Sequence, residues 1–296
     1  MQKPMYALLA LIVSALAQPS LALAKNEPPI SLPKTSKWEM RYDEDSCKLL
    51  ATFGQDHDKI VLLISRERPS DYFGVELYGK PLAASGQIPM EVGFGSAPPM
   101  KRDGIAMTMS GGERLAVIKI DGLRIDGWSG GKEPQNAPEI TPAAESAVTS
   151  ISFTKDGKQS YVLRTGSMAE PLAALRACTS DLLKYWGFDP ALEASLTRGP
   201  TPTGNPRNWA QPSDYPTSAL FGGHSGLVQF RLDVGTDGLP YGCRILYRTN
   251  PDEFADLSCQ LLMRRARFTP ALDAHGKPIK WFYMNRILWI SGGSGW

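Results

Sequence analysis

The sequence predicts an α+β protein in two units: a β-rich N-terminal domain that ends in a helix, then a small β-β-α-β domain. Three observations predict this. Between Trp38 and Arg198, short apolar runs alternate with turn dipeptides, and the region closes on one long stretch with apolar residues at helical spacing. A run carrying Pro200, Pro202, Pro206 and Pro212 follows. Beyond it come a strict period-two segment, a turn, a second strand, a helix and a last apolar strand, all within about 75 residues.

Composition bounds the function. The chain has 296 residues, of which 42% are hydrophobic and 21% charged, as in ordinary globular protein. A disordered chain, a collagen-like fibre and a polytopic membrane protein are excluded. Lys plus Arg number 32 against 30 Asp plus Glu, a net charge of +2. The global basic field of a nucleic-acid binder is absent, so no nucleic-acid partner is expected. With 3 His, a multi-His metal centre is disfavoured, and no cofactor is implied.

The first segment reads as an address. Lys3 precedes the apolar run Tyr6 to Ala17, Gln18-Pro19-Ser20 interrupts it, and Ala22-Leu23-Ala24 is a small-residue site. Residues 1–24 are therefore expected to be a signal peptide cut after Ala24. The alternative is an uncleaved membrane anchor. Against it, the run is shorter than the ~20 residues of a spanning helix, and Pro19 would kink it. No later window reaches spanning length, so the mature chain is expected to be exported and not membrane-spanning. Its four cysteines, Cys47, Cys178, Cys243 and Cys259, then suggest disulfides, with three pairings open.

Residues 25–37 form a polar lead-in with Pro28, Pro29 and Pro33, expected to be extended. In the N-terminal domain, residues 38–198, strands are expected over Ile60–Ile64, Tyr72–Tyr78, Ile105–Met109, Leu115–Ile120 and Ile151–Phe153. Asp121-Gly122, Asp126-Gly127 and Asp156-Gly157 supply turns, the last joining a hairpin from Ser150–Thr154 to Gln159–Arg164. A helix is expected from Met168 to Trp186, with Leu172, Leu175, Cys178, Leu182 and Trp186 on one face. Cys178 then points at the core, and Cys47 sits in the first strand beside Leu49 and Leu50. Pairing Cys47 with Cys178 would tie the domain's first element to its last; the alternative is two buried thiols.

The proline-rich run, residues 199–213, reads as a solvated linker. In the unit that follows, residues 214–290, Val228, Phe230, Leu232 and Val234 face one way and Gln229, Arg231 and Asp233 the other. Asp237-Gly238 turns the chain into a strand from Pro240 to Arg248, with Cys243, Ile245 and Tyr247 on one face. A helix capped by Asn250 and opened by Pro251 carries Phe254, Leu257, Leu261 and Leu262, with Arg264, Arg265 and Arg267 at its carbonyl end. Ile279 to Ile290 is the last strand, and residues 291–296 a tail. In this order one helix covers one sheet face, which places Cys243 and Cys259 within bonding distance.

An ordered set of residues in this unit resembles the C-terminal domain of the TonB family. It runs through Tyr215-Pro216, Ala219, Gly226, Val228, Phe230-Arg231-Leu232-Asp233-Val234, Asp237-Gly238 and Cys243-Arg244-Ile245-Leu246. Arg265-Ala266-Arg267-Phe268, Pro270-Ala271 and the turn with Asp273, Gly276, Lys277 and Pro278 complete it. The Cys243/Cys259 pair is similar to a disulfide-bearing branch of that family.

The resemblance implies a non-catalytic protein-binding module in the periplasm of a Gram-negative cell. Such domains add an extended segment of an outer-membrane transporter to a sheet edge through main-chain hydrogen bonds. The partners implied are transporter segments or other envelope proteins. The edge expected here is the last strand, with Trp281, Tyr283, Asn285, Ile287 and Trp289 on one face; the competing reading makes this strand core and homodimer interface. The chain departs from a full energy transducer: its apolar segment looks cleavable and lacks a His, and its proline stretches are short. The N-terminal domain resembles unnamed regions that precede such domains, on Trp38, Ser46-Cys47-Lys48-Leu49, Cys178-Thr179-Ser180-Asp181-Leu182-Leu183 and Trp186-Gly187. Two alternatives remain open: an envelope enzyme with its site in the N-terminal domain, and a structural envelope protein that dimerises or holds peptidoglycan.

Catalytic motifs are weak. Ser129-Gly130-Gly131-Lys132 has the S-x-x-K spacing, but two glycines argue for a loop rather than the helix that motif needs. Gly223-His224-Ser225-Gly226 lacks the spacing of a nucleophile elbow. His57 and His275 sit in polar turns, Gly93-Phe94-Gly95 lacks the rest of a dinucleotide fingerprint, and no C-x-x-C is present. The cluster Arg264, Arg265 and Arg267 could meet an anionic surface or simply be a solvated helix end.

Overall fold

The structure, a computed structural model, describes residues 28–109, 115–128, 137–193, 195–249, 252–291 and 293–295. The expected signal peptide, the Ser129–Lys132 motif and the Asn250-Pro251 helix start lie outside these residues.

The first unit is built on one sheet of ten strands. They are β1 (Ile30–Pro33), β2 (Glu39–Tyr42), β3 (Cys47–Phe53), β4 (Ile60–Arg66), β5 (Phe73–Gly79), β6 (Gly86–Phe94), β7 (Met100–Met109), β8 (Leu115–Leu123), β9 (Ile151–Lys155) and β10 (Ser160–Arg164). Their order is β1-β10-β9-β6-β7-β8-β5-β4-β3-β2. Among the described strands only β1 and β10 run parallel. Strict alternation in β3, β4 and β5 sends one face inward: Leu49, Ala51, Phe53, Ile60, Leu62, Ile64, Val75 and Leu77 are buried in one core.

The ends of this sheet meet. Thr35 N donates to Thr52 O at 2.8 Å, Gly54 N donates to Pro33 O at 2.9 Å, and Lys34 bridges Phe53. The chain leaving β1 thus shares the outer side of β3 with β2, and the sheet rolls into a closed barrel. The lead-in is therefore a strand of the barrel, not a loose approach to it.

Helix α1 (Pro142–Ala147) precedes β9, and α2 (Ala169–Tyr185) follows β10. Leu172, Leu175, Cys178 and Leu182 of α2 join the barrel core, and Cys178 is bonded to Cys47, 131 residues away. The β9–β10 turn has φ of 53° at Asp156 and 64° at Gly157, with Lys158 N donating to Lys155 O at 3.0 Å. Positive φ at both central residues suits the twist of a two-residue hairpin. Asp121-Gly122 is not the expected turn. It lies inside β8, where the β5–β8 register slips and Gly122 takes φ 72°. This is a β-bulge, another place where glycine's freedom serves.

A short helix α3 (Pro190–Glu193) leads to β11 (Thr201–Pro202), which pairs antiparallel with β14 (Phe268–Thr269). The run 199–213 is therefore anchored to the second unit, although most of its residues are exposed. Thr203 N donates to Arg267 O at 3.0 Å, and Trp209 and Ala210 are buried in the second core. Its prolines fall where no ladder N–H is required, at turn starts and on a two-residue edge.

The second unit contains α4 (Thr217–Phe221), β12 (Gly226–Val234), β13 (Pro240–Arg248), α5 (Glu253–Arg265), the small pair β15 (Ala271–Leu272) and β16 (Pro278–Ile279), β17 (Trp281–Ile290) and β18 (Gly293–Gly295). The sheet order is β13-β12-β17-β18. Val228, Phe230, Leu232 and Val234 pack with Phe254, Leu261 and Leu262 of α5. Cys243 is bonded to Cys259, 16 residues on.

Two register slips in the β12–β13 ladder change a face. Gln229 pairs with Tyr247 while Phe230 pairs with Ile245, so Leu246 is an extra residue. Cys243 and Ile245 stay on the helix side, whereas Tyr247 turns to the other face. The expected common face of Cys243, Ile245 and Tyr247 is corrected accordingly.

Candidate peptide-binding edge

Strand β17 pairs with β12 along its length, Gly226 opposite Trp289 through Val234 opposite Trp281. Its odd-numbered residues face α5. Trp289 stacks on Phe254 at 5.4 Å, and its Nε1 donates to Ser258 Oγ at 3.1 Å. Ile287 is buried, and Tyr283 packs against Phe268, Trp209 and Phe230. Trp281 is buried beside Phe188 of the first unit at 5.3 Å. Tyr283 and Asn285 are half-buried. Trp281, Tyr283, Ile287 and Trp289 therefore pack in cores with their side chains while Asn285 stays outside them, and the strand offers a partner mainly its main chain.

The outer side of β17 is covered at both ends. Phe188 contacts both Trp281 and Phe282, which belong to opposite faces, so it lies across the start of the strand. At the far end β18 pairs with Leu288 to Ile290. Between them, from Tyr283 to Ile287, no strand pairs with the outer side among the described residues. Arg286 N donates to Asn285 Oδ1 at 2.9 Å, so a neighbouring side chain holds one edge N–H. Asn285 Nδ2 in turn donates to Tyr283 Oη at 2.7 Å. The opposite edge, β13, carries both extra residues of the slipped ladder, and bulges blunt an edge against further pairing. The β12–β17 ladder has no slip.

The face of this sheet opposite α5 is not free, as the polar alternation of β12 suggests. It meets the first unit. Arg231 is 7% exposed, lies 4.0 Å over the Trp186 ring and donates to Asp233 at 2.9 Å. Gln229 Nε2 donates to Glu67 Oε2 at 3.1 Å, Lys119 sits 4.4 Å over the Tyr247 ring, and Arg244 pairs with Asp45 and Glu44. Burial pushes the Glu67 carboxyl above its ordinary range, with Lys119 opposing. These inter-unit contacts were missed from sequence, because a polar strand face reads alike whether water or another unit covers it. The bulge that turns Tyr247 leaves no mark in the sequence either.

A cleft of about 280 Å³ opens where the units meet, between the β4–β5 turn and the Met284–Arg286 part of β17. Near the docked proline run, Arg265 holds Asp214 with two bonds, at 2.5 and 2.8 Å. That bonding holds the Asp214 carboxyl below its usual range.

The other sequence candidates are not brought together. His57 lies in an exposed turn, and His275 in the Asp273 turn, where Asp273 Oδ1 accepts from His275 N at 2.9 Å. Ser225 Oγ accepts from Ser291 N at 3.1 Å, so its neighbour is another serine. Arg264 and Arg265 close α5; Arg265 is occupied by Asp214, and Arg267 Nη1 donates to Ala266 O at 2.7 Å. Gly93 and Phe94 lie in β6, as ladder residues. Among the described residues, no group of three or more His, Cys, Asp or Glu could hold a metal ion.

No curated protein and no solved structure matches the chain. Residues 211–290 match the family model of the Gram-negative bacterial TonB protein C-terminal domain, so the sheet that carries β17 belongs to a TonB-type C-terminal domain.

Proposed function

We propose that this protein is a periplasmic, non-catalytic binding module that takes an extended segment of an envelope partner onto the open side of β17. The segment of an outer-membrane transporter is the partner this domain type favours. One observation supports the reading above others: the main chain from Tyr283 to Ile287 has no strand on its outer side among the described residues, while the opposite edge is bulged. Backbone pairing supplies affinity in such additions, and alternate side chains supply selectivity. No helix among the described residues is long and apolar enough to cross a membrane. Export by residues 1–24, with removal after Ala24, completes the proposal.

The test is capture of synthetic peptides from transporter N-terminal segments by the mature protein, with amide hydrogen exchange as the readout. Slowed exchange at Met284 and Arg286 is expected. Binding of none of them by a folded protein would remove the reading, and binding with protection on β13 instead would relocate the site. Sedimentation of the free protein reports whether two copies pair through the same strand.

A further inference from the structure

The proline run and the end of α5 enclose a bowl of about 410 Å³. Thr203, Asn205 and Asn208 line it from the run, Arg265 and Arg267 line it from the end of α5 and just beyond, and the buried Trp209 lies among them. We propose that this bowl is a seat for a phosphate group. It shares no lining residue with the cleft beside β17, so it stands apart from strand addition. Thr203, Asn205 and Asn208 also precede the stretch that matches the family model.

Charge is the first argument. Residues 203–214 and 264–269 hold Arg207, Arg264, Arg265 and Arg267 against one acid, Asp214. Asp214 gives both of its oxygens to Arg265. Arg207, Arg264 and Arg267 are exposed, and none of them forms an ion pair. Among the described residues, no carboxylate lines the bowl. In the flanking turns, Asp237 and Asp273 accept from main-chain N–H groups of those same turns.

Free donors are the second argument. Arg267 uses only Nη1, which donates to Ala266 O at 2.7 Å. Asn205 uses its Oδ1, which accepts from Arg207 N at 3.1 Å, and keeps its amide N–H groups free. The side chains of Thr203 and Asn208 make no hydrogen bond within the protein. Carbonyls at this helix end would repel an anion, but Ala266 O is taken by Arg267 and Trp209 O by Arg265 at 3.1 Å. The donors thus come from two segments and are of three kinds: guanidinium, amide and hydroxyl. A planar carboxylate is satisfied by a single fork, whereas a phosphate presents three acceptor oxygens and takes donors from several sides. A lipid headgroup and a soluble phosphorylated molecule share that group.

Inorganic pyrophosphate titrated into the mature protein at low salt is the first probe, read by amide chemical shifts. Saturable shifts at Thr203, Asn208 and Arg267 are expected. Arg267→Ala should weaken binding about 10-fold, and Arg267→Lys, which keeps the charge and loses the fork, about threefold. Asn208→Ala should cost about threefold with the local charge unchanged, which separates a built seat from a general basic field. Both side chains are exposed, so folding is not at stake. Phosphatidylcholine vesicles carrying phosphatidic acid are the second probe. Sedimentation with them that pyrophosphate reverses would assign a lipid headgroup; pyrophosphate binding without vesicle binding would assign a soluble phosphorylated ligand. No shift at the three residues, no effect of Arg267→Ala, or equally tight binding of the dicarboxylate succinate would overturn the proposal.

Discussion

The two units solve the problem of a sheet edge in opposite ways. The first joins β1 back to β3 and leaves its sheet closed. The second stops at four strands, bulges one edge and leaves part of the other open. A closed barrel has a large continuous core and needs no help. The open sheet is small, and a domain of about 75 residues buries little by itself. It therefore borrows cover: Trp209 from the proline run, and Trp186 and Phe188 from the end of the first unit. Closure gives stability, and openness leaves a place for a partner to bind.

Each unit has one disulfide, and removing them separates the two strategies most sharply. Cys47–Cys178 closes a loop of 131 residues, and the chain-entropy model gives about 5 kcal/mol for its loss. Cys243–Cys259 closes 16 residues, for about 3 kcal/mol. Urea unfolding of the paired Cys→Ala variants should show the larger loss in the barrel. The reverse order would mean that the barrel's unfolded chain is already compact. Trp209→Ala comes next, at about 3 to 4 kcal/mol, confined to the open sheet. Trp209 lies 5.3 Å from Phe268 and 5.9 Å from Tyr283, so its loss empties the place where the proline run docks. An unchanged midpoint would restore that run to the status of a solvated linker.

What could be read from the sequence followed local periodicity. The alternation of β12, the apolar face of α2 and the Asp156-Gly157 hairpin depend on neighbours two to four residues apart, and they appear where expected. Pairing of Cys47 with Cys178 followed from placing both on core faces. Elements set by distant contacts were hidden. Strand β6 contains Pro89 and Gly93, which argue locally against a strand, yet it pairs with both β7 and β9. The lead-in looks like a polar tail until β10 and β3 are beside it. The last strand was identified, but which of its sides stays open depends on Phe188 and β18, and no spacing within the strand reports them.

Asp214→Asn probes the tie between the proline run and α5. The Arg265 hydrogen bonds lower the Asp214 carboxyl, so its contribution is present above the unfolded value of about 3.9 and is lost as pH falls through the lower folded value. With Asp214 only 14% exposed, the variant should cost about 1 to 2 kcal/mol at pH 7 by urea unfolding. Once pH has fallen below the folded value the two proteins should converge. A gap that persists in acid would assign the effect to the Gln211 N–H, which donates to Asp214 Oδ2 at 2.8 Å, rather than to charge.

The smallest expected effect tests the seam between the units. Burial raises the Glu67 carboxyl, the opposite sign to Asp214. Any stability linked to its raised value is full below the unfolded value near 4.3 and is lost as pH rises through the folded one. Above that folded value the seam holds a carboxylate that would be better neutral. Glu67→Gln removes the charge and keeps an amide oxygen to accept from Gln229 Nε2. The melting temperature should rise by about 2 °C at pH 7 and stay unchanged near pH 4. A fall at pH 7 would mean that the charge of Lys119 needs Glu67 more than burial penalises it. In that case the seam is held by ion pairing, and high salt should loosen the open sheet from the barrel before either unfolds.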